Sequence, residues 1–365
     1  MSATRLAAAL ALCLLAGTAA VHANIVKLEI TRVEPAGPTH ERITGYAHGE
    51  LDPADPKNAV ITDIDLAPRN ARGKVEYVTK FTLVRPTEMM TASGVLIYTV
   101  VNRGGGNAAP SSDGHITLVS GWQGDVVPAA TNYTIQVPVA KNRDGSSITG
   151  PLLLRFMQLT GHTTPLIIPR GQPSPYPPAS LDTTKAKLMS ATGEDATGAK
   201  KGAVTIPTTE WAFADCSTIP FPGKPDAGKI CVKNGFDPAL LYTLEYTVKD
   251  PLVLGIGMAA TRDLGSFFRY EKADAAGTPN PVAGRITHAI SEGSSQSGTF
   301  LRVSLLLGFN QDERGRIVWD GMNPHIAARF TDLNRRFAFP GGLVSPFEVG
   351  HEGPAWWSTL SLIHI

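Results

Sequence analysis

Beyond its first residues the sequence has no apolar run of the length a bilayer span needs, about 20 residues, which excludes a transmembrane helix in the body of the chain. It has no excess of charge either, with 33 Lys and Arg against 32 Asp and Glu. That balance leaves no field to steer nucleic acid or an anionic membrane, so neither is expected as a partner. Cysteine is scarce, at 3 in 365 residues. No His or further Cys stands at ligand spacing, so neither a metal nor a cofactor is expected. Low-complexity tracts are missing as well. The 36 Gly and 28 Pro are spread along the chain and read as many turns between short elements. A hydrophobic content of 42% leaves enough apolar material for a substantial core.

What is present begins with Arg5, the apolar run Leu6 to Gly17 and the small residues around Val21-His22-Ala23. This reads as a secretory signal over residues 1–23, cleaved after Ala23, with a secreted or periplasmic mature chain. Cys13 leaves with the signal. Cys216 and Cys231 then close a short loop rich in Pro and Gly. In an oxidising compartment they are expected to form a disulfide worth about 3 kcal/mol, two buried thiols being the alternative.

The pattern changes along the chain. Val60 to Leu66 alternates as a half-exposed strand does, and Val75 to Leu83 does so less cleanly. Both are expected as antiparallel edge strands. Gly94 to Val101 and Ile116 to Ser120 are apolar runs without alternation, the signature of strands buried on both faces in a parallel sheet covered by helices. Residues 126–237 read as a β-rich insertion or cap. Leu241 to Val248 suits a strand, and Met258 to Arg269 a helix with Leu264, Phe267 and Phe268 on its apolar face. A short strand, Ile286 to Ile290, precedes a helix from Ser297 to Gly308 with Phe300, Leu301, Leu305 and Leu306 on one side. Ile317 to Trp319 reads as one more strand, and the chain after Met322 as loop. Together these give an α/β fold.

Between the last strand–helix pair lies Gly293-Ser294-Ser295-Gln296-Ser297-Gly298. Strand, sharp turn and helix is the setting in which a serine nucleophile is presented, and small neighbours are needed because the turn is strained. Ser295 has Gly293 two before it and Ser297 two after it, where G-x-S-x-G would have its last glycine. Ser294 and Ser297 are the other hydroxyls in the motif. A turn without chemistry, or one that binds phosphate, is the competing reading, and no Lys stands between Gly284 and Gly308 to favour phosphate. Acyl transfer also needs donors aimed at the developing oxyanion. The Gln296 N–H is one candidate, and the Arg103 or Gly104 N–H in the glycine loop Asn102 to Asn107 is the other.

Asn102-Arg103-Gly104, Ser120-Gly121-Trp122-Gln123-Gly124-Asp125, Ala260-Thr261-Arg262-Asp263 and Ser295 to Arg302 occur in that order. So do His48 to Pro53 and Asp65 to Gly73. In these motifs the chain resembles a family of exported bacterial α/β-hydrolase-domain proteins, over nearly all of residues 24–360. The resemblance implies an α/β-hydrolase fold with a mostly parallel sheet, serine-dependent ester hydrolysis, and a triad in the order Ser, acid, His. Carried over, Ser295 is the nucleophile and Gln296 an oxyanion donor. Family members are longer than this chain. The acid and the histidine are therefore expected beyond its C-terminus, with Asp320, His325 and His351 as candidates inside it and residues 361–365, His364 included, as a non-native tail. The expected partner is a small-molecule or polymer ester. Two other readings are a catalytically incomplete fragment or pseudo-enzyme that binds without turnover, and a carbohydrate-binding β-module suggested by the strand-rich N-terminus and Trp122.

Overall fold

The computed structural model describes residues 24–166, 176–195, 199–327, 333–338 and 340. The signal segment, His351 and the tail lie outside them. The chain opens with β1 (Ile25–Pro35), β2 (His40–Leu51) and β3 (Val75–Pro86), an antiparallel meander. Then come β4 (Val95–Thr99) and β5 (Ile116–Ser120). A β-rich middle holds β6 (Thr149–Phe156), β7 (Thr163–Pro165), β8 (Lys187–Ala191), β9 (Lys229–Val232) and β10 (Leu241–Lys249). The chain continues as α1 (Ile256–Tyr270), β11 (His288–Ser294), α2 (Gln296–Leu306) and β12 (Gly321–His325).

The main sheet has the order β1-β2-β3-β5-β4-β11-β12, with a short strand at Ile135–Gln136 also on β3. β5, β4, β11 and β12 are mutually parallel, and β3 joins β5 antiparallel. The architecture is thus mixed α/β. The sheet is half parallel rather than mostly so, because the N-terminal meander extends it.

Among the described residues, helices cover only one face of these strands. Leu96 and Tyr98 of β4 are buried while Val95, Ile97 and Thr99 are half-buried, so the strand alternates after all. In β11, Ala289, Ser291 and Gly293 point into the core and Ile290 is 37% exposed on the other side. The Tyr98 hydroxyl meets Thr261 of α1, and a Cβ on Gly293 would meet Ser297 of α2. Both helices therefore lie on the same face.

All of α1 except Arg269 and Tyr270 is buried, beyond the single apolar face its sequence suggested. Phe268 packs on Phe81 at 5.6 Å, Trp319 on Tyr98 at 5.1 Å, and Phe300 of α2 on Trp122 at 4.4 Å. Each such ring contributes about 1.5–3 kcal/mol by burial. On α2, Phe300 and Leu301 are buried, but Leu305 and Leu306 are exposed, contrary to the expected face.

Two short segments also differ from expectation. Val60 to Leu66 is turns and a 3-10 turn (Ile64–Leu66), with Ile61 and Ile64, three apart, as its buried pair. Ile317 makes only an isolated bridge to Gln311, Val318 and Trp319 fill the core, and the strand begins later, at Gly321.

The β-rich middle has its own core. β8, β10 and β6 form an antiparallel sheet with Val204–Thr205 at its edge. β9 pairs with β7 and with Trp211–Ala212. Leu188, Trp211, Phe213, Leu244 and Tyr246 are buried together there. The Cys216–Cys231 disulfide staples this unit, with Cα atoms 5.8 Å apart.

Candidate active site

The turn between β11 and α2 is held from several sides. Ser295 has φ 60° and ψ −121°, a conformation uncommon for a residue with a Cβ and costing about 1–3 kcal/mol. Its N–H donates to the His325 carbonyl at 2.9 Å, and its own carbonyl accepts from the Thr299 N–H at 2.9 Å and the Thr299 hydroxyl at 3.1 Å. Glycines make that approach possible. A Cβ on Gly298 would stand 2.7 Å from the His325 oxygen and 2.8 Å from the Gly293 oxygen. One on Gly293 would stand 2.7 Å from the Ser297 carbonyl carbon.

The three serines separate by environment. Ser297 is buried and donates its hydroxyl to the Val101 carbonyl at 2.9 Å, a structural bond. The Ser294 hydroxyl lies 3.3 Å from Nδ1 of His325. Ser295 is exposed, and its hydroxyl does not cap the helix it precedes. It stands at the N-terminus of α2, where the positive end of the helix dipole favours negative charge.

The glycine loop lies beside this turn. Asn102 and Gly105 exchange two backbone bonds of 2.9 Å, and Arg103 and Gly104 have φ 50° and 75°. This is a two-residue turn of the primed kind, which needs positive φ at both centres. Among the described residues, neither the Arg103 nor the Gly104 N–H has an acceptor. The Asn102 amide reaches the Ser294 carbonyl at 3.5 Å. The Val101 carbonyl, just before the turn, accepts from both Ser297 and the Trp122 indole, the latter at 2.7 Å. The loop is thereby tied to α2.

Gln123, just after β5, is fully buried and donates to the Gln296 side chain at 3.3 Å and to the Pro340 carbonyl. Gln296 also donates to Pro340. Gln123 and Asn102 were visible only as letters in motifs; nothing in their spacing marked the amide contacts.

The remaining candidates fall apart spatially. Asp320 stands beside Ala289, at the opposite end of β11 from Ser295 and so about 20 Å away at strand rise. Its carboxylate accepts from the Ala289 N–H at 2.8 Å and pairs with Arg269 at 2.9 Å. Burial raises its pKa, but the Ala289 and Arg269 hydrogen bonds outweigh that and hold it below the usual value. Asp320 is therefore held as a structural acid at the end of the strand away from Ser295. His325 is the register partner of Ser294 on β12, near the serine, yet its ring bonds to Ser294.

No group of three or more His, Cys, Asp or Glu among the described residues could hold a metal. None of their helices is long and apolar enough to cross a membrane. A groove of about 750 Å³, walled by Leu152, Lys187, Tyr246 and Phe337, lies on the β-rich unit and does not include Ser295. No family model matches the chain, and neither characterised proteins nor solved structures provide a relative.

Proposed function

We propose that the chain is an exported serine hydrolase of the α/β-hydrolase type that cleaves carboxylic esters with Ser295. The observation that carries this is the exposed Ser295 at φ 60°, placed between a parallel strand and the N-terminus of α2. The strand order β3-β5-β4-β11-β12 is consistent with it, since the serine stands at the carboxyl end of parallel strands, where α/β sheets place ligands. Export is supported by the signal-like start and by the disulfide, which suits an oxidising compartment.

In this reading Ser295 Oγ attacks the ester carbonyl carbon, and its proton passes through a base to the departing alkoxide. The N–H groups of Gln296 and Gly104 receive the oxyanion. Water then attacks the acyl-enzyme, giving its proton back to Ser295 and its hydroxyl to the released acid. His325 is assigned to holding the turn through Ser294, and the base to a histidine outside the described residues.

Hydrolysis of p-nitrophenyl acetate by the full chain tests the proposal. Ser295→Ala is expected to lower the rate by about 10³-fold or more. Equal rates would refute it.

A further inference from the structure

Most of the buried or half-buried arginines among the described residues have a carboxylate: Arg262 has Asp263, Arg269 has Asp320, Arg316 has Asp312 and Arg85 has Glu41. Arg103 has none among the described residues. Its guanidinium is half-buried, its Nη1 donates to the Asn102 side-chain oxygen at 2.9 Å, and its buried Nε donates to nothing described. Burial lowers its pKa, and no acid among the described residues offsets it. The other end of the Asn102 amide reaches the carbonyl of Ser294, the residue before Ser295. A cation with donors to spare thus stands on the turn that offers the Gly104 N–H, linked through the Asn102 amide to the backbone carbonyl of the residue before Ser295.

A half-buried charge without a counter-ion is costly, and an anion that arrives in its place recovers that cost. The planar fork of a guanidinium matches a carboxylate with two parallel hydrogen bonds. Arg103 also occupies a left-handed position where Gly, Asn or Asp would fit with less strain. The turn by itself gives no reason for an arginine there.

Resting on the ester-hydrolase reading above, we infer that Arg103 binds a carboxylate carried by the substrate, so that the preferred esters are monoesters of dicarboxylic acids. The neighbouring amide side chains, Asn102, Gln123 and Gln296, are neutral and supply no competing anion for that cation.

The test compares mono-4-nitrophenyl glutarate with its methyl ester, which keeps the glutaryl chain and carries no charge. The full chain is expected to favour the anionic ester at least tenfold in kcat/KM. Arg103→Asn, which tolerates the left-handed turn, is expected to cut that ratio at least tenfold, and Arg103→Lys to leave an intermediate ratio. An unchanged ratio in Arg103→Asn overturns the inference.

A second arm needs no turnover. Binding of glutarate mono-anilide to Ser295→Ala, measured by calorimetry, is expected to weaken at least tenfold on adding Arg103→Asn. Equal affinity overturns the inference. Anilide binding that depends on Arg103, with neither ester hydrolysed faster than by Ser295→Ala, counts against Ser295 as nucleophile and not against Arg103.

Discussion

The two ends of β11 and β12 are built in opposite ways. At the end where Asp320 stands, every group considered is satisfied: the carboxylate takes the Ala289 N–H and Arg269, and the Asp320 N–H returns a bond to the Ala289 carbonyl at 2.7 Å. At the other end Ser295 sits at positive φ with an exposed hydroxyl, and Arg103 keeps a buried donor without a described partner. Register makes the contrast sharp, because the same two parallel strands carry both ends, from Ile290–Gly321 to Ser294–His325. The unsatisfied end keeps strain and free polar groups, which folding alone gives no reason to keep and a ligand could use.

The contrast can be broken from either side. The largest effect is expected from Gly298→Ala, which would drive a Cβ into the His325 and Gly293 carbonyls. A loss of about 1–3 kcal/mol, as for other overpacked sites, should appear in the urea midpoint, together with lost hydrolysis. Wild-type stability would mean that the turn is loose rather than clamped.

Asp320→Ala comes next. It strands the Ala289 N–H and unpairs Arg269, for about 1–2 kcal/mol. Ester hydrolysis should stay within twofold of wild type, and a loss comparable to that of Ser295→Ala would restore Asp320 as a triad acid. The pH dependence has a definite sign. A carboxyl whose folded pKa is lowered contributes stability that is present above its unfolded value and lost as pH falls through the folded one. The melting-temperature gap between wild type and Asp320→Ala should therefore be widest near neutrality and close in acid.

The smallest stability change is expected from Ser295→Gly. Glycine accepts φ 60° without a Cβ penalty, so the variant should gain up to about 1 kcal/mol while losing hydrolysis. A destabilised Ser295→Gly would show that the serine side chain supports the fold.

The turns of the candidate site were legible in the sequence for physical reasons. Small residues around Ser295, after a short strand and before a helix, encode a tight turn, and the glycines of the Asn102 loop encode a second one. The positive φ at Arg103 was not legible, because arginine does not advertise it. The end of the sheet to which Asp320 belongs was not legible either. A residue beside a strand carries no sign of the strand's direction until β12 is seen to run parallel to β11.

Other misreadings share one cause, which is that local pattern does not report what packs against it. The apolar run of β4 suggested cover on both faces, while both helices lie on one. Leu305 and Leu306 looked like core and are exposed, since α2 buries its smaller residues Ser297, Gly298 and Thr299 where the chain passes close to β11 and β12.

The most direct test of the central claim is chemical labelling. The full chain, treated with a fluorophosphonate and digested, should carry the phosphonate on Ser295 in the peptide that spans β11 and α2, and Ser295→Ala should remain unlabelled. Phosphonate found on Ser294, on Ser297 or elsewhere, or labelling that persists in Ser295→Ala, would contradict the assignment of Ser295 as the nucleophile.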